Sequence, residues 1–123
     1  MPLTVMQAMA AVEGFSIKGS RAQRNNNPGN LDFVSWMAAY GAKLETIPHG
    51  FNEAPRFAAF PSPEQGWDAM RALLSDDYCG LSVTEALNKW APPVENQTNV
   101  YIATVCKLTG LAPDATLTTE LLE

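Results

Sequence analysis

Helix start and stop signals recur so closely along this chain that it reads as a series of short helices with punctuated loops. The clearest start is Ser62-Pro63-Glu64-Gln65. It combines a capping serine, a proline at the first helical position and a glutamine placed to close a capping box. Trp67, Met70, Leu73 and Leu74 then supply a helical stripe. Ser82-Val83-Thr84-Glu85 repeats the logic before Leu87 and Trp90, and Pro92-Pro93 stops that helix. The stop is steric, because the residue before a proline is pushed out of the helical region. Asn96 is expected to cap a further helix carrying Val100, Val105 and Leu108, with Gly110 as its end. At the other end of the chain, Thr4 and Gln7 have capping-box spacing ahead of Val5, Met6, Met9 and Val12. That helix should finish near Glu13-Gly14, where glycine accepts the left-handed conformation of a helix stop. Residues 114–123 read as a last short helix.

Between the first helix and Ser62 the pattern changes. Residues 16–31 form a loop rich in Gly, Asn and Arg, with Pro28-Gly29 marking a tight turn. Residues 33–40 fit a short helix. Residues 43–47 and 56–60 fit the two strands of a small hairpin. The fold class expected is mainly α (α+β), one helical domain over residues 1–123 with a small β-hairpin. With 123 residues, 46% of them hydrophobic and 17% charged, the chain has globular composition and is large enough for a core of its own.

The balance of charge narrows the partners. The formal net charge is −5, and Arg21 and Arg24 are the only close basic pair near a candidate site. Nucleic-acid binding draws on basic surface, so no nucleic acid is expected. No apolar run is long enough for a membrane span, and the N-terminus does not read as a signal peptide. A single histidine, His49, argues against a zinc site, and no cofactor is expected. Cys79 and Cys106 lack metal-ligand spacing; thiols are the expectation and one disulfide the alternative.

Three groups of residues carry candidate chemistry. Glu13 stands at the C-terminal end of an apolar helix, beside Phe15. The partial negative charge of a helix C-terminus and partial burial both disfavour a carboxylate anion, which suits a general acid, but position alone fits a solvated glutamate at a helix end better. The run Arg24-Asn25-Asn26-Asn27-Pro28-Gly29-Asn30-Leu31 offers four uncharged amides, each with donors and an acceptor fit for sugar hydroxyls and N-acetyl groups. Asn, Pro and Gly also dominate ordinary turns, and composition does not separate the two readings. Trp90, Glu95, Asn96 and Tyr101 form a later cluster in which an aromatic face can stack on a pyranose and a phenol can hydrogen-bond. Core packing is the competing reading, stronger for Trp90 than for Tyr101. Trp67 belongs to its helical stripe.

Taken in order, Glu13-Gly14-Phe15, the asparagine-rich run, residues 57–63, Trp90-Ala91-Pro92-Pro93 and Glu95-Asn96-Gln97-Thr98-Asn99-Val100-Tyr101 resemble small phage and prophage proteins related to lytic transglycosylases of the lysozyme superfamily. The resemblance implies a lysozyme-like domain that cleaves the bond between N-acetylmuramic acid and N-acetylglucosamine in peptidoglycan, with Glu13 as catalytic acid. It implies that Asn27 and Asn30 line the cleft and that residues 62–74 back the site. It places Glu95 and Tyr101 in the segment whose tyrosine reaches substrate, and Trp90 joins them as a candidate sugar contact. Glycine follows the glutamate where the better-known soluble enzymes have serine, and Trp90-Ala91-Pro92-Pro93 replaces their glycine-rich linking motif. A muramidase normally needs a second carboxylate. Asp32, Glu45 and Glu53 are the candidates, none with diagnostic spacing, so the single-glutamate transglycosylase is preferred to the hydrolase. A virion or wall-binding protein that keeps a sugar cleft without turnover is the non-enzymatic alternative. The expected setting is synthesis in the cytoplasm and action, as a monomer, on the periplasmic wall after release by a holin or delivery by a virion.

Overall fold

The computed structural model describes residues 2–46, 54–94 and 96–123. Six α-helices appear in it: α1 (Val5–Val12), α2 (Arg21–Arg24), α3 (Pro63–Asp77), α4 (Val83–Trp90), α5 (Thr98–Thr109) and α6 (Thr119–Leu122). A 3-10 helix spans Ser35–Tyr40, and two short strands, β1 (Lys43–Leu44) and β2 (Ala58–Ala59), pair antiparallel. The protein is thus mainly α with one small antiparallel β-hairpin. No helix among the described residues is long and apolar enough to cross a membrane.

The helix boundaries follow the local chemistry. The Thr4 hydroxyl accepts from the Gln7 amide at 3.2 Å, and the Gln7 side chain accepts from the Thr4 amide at 3.0 Å. The same reciprocal pair joins Ser82 and Glu85, at 3.0 Å each way. Ser62 caps α3, its hydroxyl accepting from the Gln65 amide at 3.4 Å. Gly110, at φ 78°, closes α5. Asn96 does not act as the cap of α5. Gln97 holds that position without a side-chain hydrogen bond, while the Asn96 amide donates to the Pro92 carbonyl at 3.1 Å. The asparagine is spent on closing the turn that the two prolines impose. The Thr98 hydroxyl, at the first residue of α5, donates to the Ala91 carbonyl.

The backbone contacts divide into two compact units. One comprises Met1–Val12 and Leu73–Glu123. Here α1 packs on α5 and α6, and α4 packs on α5. Met9, Leu74, Val83, Val105 and Leu122 are essentially inaccessible to solvent. A chain reversal ties the last segment in: Leu117 donates to the Leu81 carbonyl and accepts from the Gly80 amide, at 2.8 and 3.0 Å. Cys79 and Cys106 are half-buried free thiols, as expected, and burial raises the pKa of both. For Cys79 the charge of Glu120 adds to that effect.

The other unit is Glu13–Ala72, and it contains what the sequence reads as one long loop. That loop holds α2, a single turn capped by the Ser20 hydroxyl, which accepts from the Gln23 amide at 3.1 Å. Four residues are too few to show an apolar period. The hairpin is shorter than the expected strands of 43–47 and 56–60, and Ile47 lies outside the described residues. Beyond Leu44 one more backbone bond follows, from the Glu45 amide to the Phe57 carbonyl at 2.9 Å. Glu45 is only 4% exposed, and its carboxylate accepts from the backbone amides of Arg56 and Phe57 at 3.3 and 3.1 Å. Residues 31–33 extend the pairing on the other side, through an antiparallel bridge between Asp32 and Phe57.

Candidate functional site

Helix α1 ends at Val12, and Gly14, at φ 83°, turns the chain away immediately after Glu13. The Gly14 carbonyl accepts from the Ser20 hydroxyl at 2.7 Å and from the Ile17 amide at 2.9 Å. The backbone that carries Glu13 is therefore tied to the start of α2. Phe15 packs edge-on against Trp67 of α3, with ring centroids 5.5 Å apart. Glu13 itself is half-buried.

The asparagine loop supplies its neighbour. The Asn30 amide nitrogen lies 3.3 Å from both the backbone carbonyl and Oε1 of Glu13. Asn30 reaches that position in the left-handed region, at φ 49°, after a turn closed by its own amide donating to the Asn27 carbonyl at 3.0 Å. Asparagine tolerates this conformation where most residues are strained. The Oδ1 atom of Asn30 is buried and has no hydrogen-bond partner among the described residues. An unpaired buried acceptor costs free energy until something donates to it.

The remaining asparagines are occupied. Asn27 is completely buried. Its amide donates to the carbonyls of Leu31 and Ala58 at 3.0 and 2.9 Å, and its Oδ1 accepts from the Leu31 amide at 2.9 Å. It staples the loop to β2 and presents no atom to a ligand, which corrects its expected role as a sugar contact. Asn26, at φ 51°, donates to the Phe60 carbonyl at 3.0 Å. Asn25 is buried and donates to Glu45 at 3.2 Å. Three of the four amides that looked suited to sugar thus serve to build the loop, because a chain segment with so few ladder bonds must satisfy its polar groups through side chains.

Glu45 is the centre of an internal electrostatic cluster that sequence reading weighed only as a possible second carboxylate. Burial alone pushes its pKa up. The bonds from Asn25, Phe57 and Arg56 and the charge of Arg21 outweigh that and hold it below the ordinary glutamate value. The Arg24 guanidinium stands 3.9 Å from it, and Arg21 lies 3.9 Å over the Phe57 ring. No spacing in the sequence signals this cluster; only the approach of residue 45 to residues 25 and 57 creates it. Asp32 is exposed and ion-paired with Arg56 at 2.9 Å. Glu53 lies outside the described residues.

Trp90 and Tyr101 belong to the unit that excludes Glu13. Trp90 is half-buried and packs edge-on against Tyr78 at 5.5 Å. Tyr101 is only 7% exposed, and its hydroxyl donates to the Met9 carbonyl of α1 at 3.5 Å. Both pack within the helical core of that unit. Glu95 lies outside the described residues. No group of three or more histidine, cysteine or carboxylate side chains among the described residues is arranged to hold a metal. No protein-family model matches this chain, and no curated protein matches it.

Proposed function

We propose that the protein cleaves the glycan strand of peptidoglycan as a lytic transglycosylase, with Glu13 as its single acid and base. The observation that supports this most directly is the pairing of Glu13 with Asn30. A half-buried glutamate, fixed at a helix end and held by an amide 3.3 Å from its oxygen, has the definition a proton donor needs. In the proposed reaction Glu13 gives its proton to the glycosidic oxygen as the bond to muramic C1 breaks. The resulting carboxylate then takes the proton of the muramic C6 hydroxyl, and O6 closes on C1. Glu13 ends protonated, no water is consumed, and the product is a 1,6-anhydro sugar. Asn30 would orient the carboxyl group through both protonation states.

Of the three carboxylates weighed for a hydrolytic mechanism, the two among the described residues are engaged elsewhere, which supports the transglycosylase form. Glu45 is locked in backbone hydrogen bonds and Asp32 is engaged by Arg56. Neither is disposed to activate a water as a second catalytic carboxylate. Mass spectrometry of digested peptidoglycan tests the reading. Anhydromuropeptides from the wild type, and none from Glu13→Gln, are expected. Reducing ends without anhydro product would replace the transglycosylase by a muramidase. Equal clearing of cell walls by wild type and Glu13→Gln would remove Glu13 as the acid. It would leave a protein that binds the wall without turnover.

A further inference from the structure

The 3-10 helix Ser35–Tyr40 lies in the same unit as Glu13, and the proposed chemistry does not use it. Its conformation is fixed from several sides. Met37 is buried and anchors the turn. The Phe33 amide donates to the Arg56 carbonyl at 2.9 Å, and the Ala42 amide to the Met37 carbonyl at 3.2 Å. Gly41, at φ 80°, closes the helix against Pro61 and Gln65, whose side chains would stand 2.9 Å from a β-carbon at that position. On this support an aromatic pair faces water. Trp36 is 38% exposed, and Tyr40 packs nearly perpendicular to it, with ring centroids 5.8 Å apart. Tyr40 lies on one side of the indole and so covers at most one of its faces. The Ser35 hydroxyl, the indole N–H and the Tyr40 hydroxyl make no hydrogen bond to another protein group among the described residues.

We propose that Trp36 and Tyr40 form a stacking platform for a neutral N-acetylhexosamine residue of a glycan strand. The identity of the polymer rests on the cleavage reading above; the contact itself does not. A pyranose ring has an apolar C–H face and a polar rim. The indole face takes the first, and the indole N–H with the two hydroxyls takes the second. Residues 33–42 carry no charge, in a chain whose net charge is −5. The surface therefore matches the sugar ring rather than the carboxylates of the attached peptides. A membrane surface is the poorer match, because an interfacial face needs a broad apolar stripe flanked by cations. Beyond Val34 and Trp36, the exposed positions here are only Ser35, Ala38 and Ala39. The spacing lets one strand serve both places. Asn30 holds Glu13, and Trp36 follows Asn30 by six residues, which bounds their separation at about 22 Å. A polymeric substrate crosses that span in a few sugar residues.

Titration of the isotope-labelled full chain with the N-acetylglucosamine trimer, followed at the indole N–H signals, tests the proposal. The chain has three tryptophans, and substitution assigns each signal. The Trp36 signal should shift, and Trp36→Ala should weaken trimer binding about tenfold. Trp36→Phe keeps an aromatic face and should bind within about threefold of the wild type. Should the alanine variant not fold, the wild-type shift and the phenylalanine variant carry the test. A Trp36 signal unmoved by about 10 mM trimer, or undiminished trimer binding by Trp36→Ala, would overturn the platform. So would a shift with phosphatidylcholine vesicles and none with the trimer, which would mark a membrane contact instead. The same trimer shift is expected in Glu13→Gln, since stacking needs no proton transfer. A failure of Glu13 as acid thus leaves this readout intact, and an unmoved Trp36 leaves the cleavage reading intact.

Discussion

Replacing Gly66 with alanine sets two opposing effects against each other. Gly66 sits in the first turns of α3, where alanine is the better helix former by about 1 kcal/mol. A β-carbon built there would stand 2.0 Å from the Asn26 carbonyl oxygen and 2.9 Å from the Pro28 ring. Real contacts to a β-carbon begin near 3.0 Å, so the loop or the helix must yield by about 1 Å. The obstacle is backbone, and it is tied on both sides. Asn26 donates to Phe60, and the Phe60 amide donates to the Asn25 carbonyl at 2.8 Å. Such overpacking costs about 3 kcal/mol, the upper end of its usual range, because no rotamer change relieves it. The net expectation is a loss of roughly 2 kcal/mol, or about 6–10 °C in Tm for a chain of this length. Urea denaturation followed by circular dichroism, with the slope unchanged and the midpoint lowered, is the measurement. A midpoint equal to or above the wild type would show that helix propensity wins. It would also refute the close approach of α3 to the asparagine loop. Because that loop also carries Asn30, the surviving folded fraction should cleave peptidoglycan more slowly.

Other substitutions separate the roles of the neighbouring residues. Asn30→Gly keeps the left-handed backbone but loses the amide, so the protein should remain folded while cleavage falls by about 10–100-fold. Unchanged turnover would remove Asn30 as a positioning residue. Asn27→Ala strands the buried polar groups of Leu31 and Ala58 and should cost roughly 1–3 kcal/mol of stability, read by the same urea titration. The depressed pKa of Glu45 gives stability that is present above the ordinary glutamate value and lost as pH falls through the lower, folded one. Thermal melts between pH 7 and pH 3 should show that acid-side loss in the wild type, and a shallower one in Glu45→Gln. Identical profiles would show that the Glu45 charge does not couple to folding.

The helical frame was readable from local pattern because caps and stops act within one turn. Thr4 with Gln7 and Ser82 with Glu85 form the expected boxes, and Gly14 and Gly110 are the expected left-handed stops. The failure at Asn96 has the same origin in reverse. A residue with good capping chemistry was claimed by a nearer acceptor, the Pro92 carbonyl. The short α2 carried too few residues to show a period, and just past β1 the Phe57 amide bonds the Glu45 side chain, which no local pattern announces.

The candidate site divides along the same line. Sequence by itself singled out Glu13 at a helix end and an asparagine-rich loop after it, since residue type and the nearby glycine and proline suffice for that. Tertiary structure alone decided what each asparagine does. Asn25, Asn26 and Asn27 are occupied by partners 20 to 34 residues away, and only Asn30 turns to the carboxyl group of Glu13. An amide offers the same donors and acceptor wherever it stands along the chain. Which of them remains for chemistry depends on burial and on which backbone groups the fold leaves unpaired.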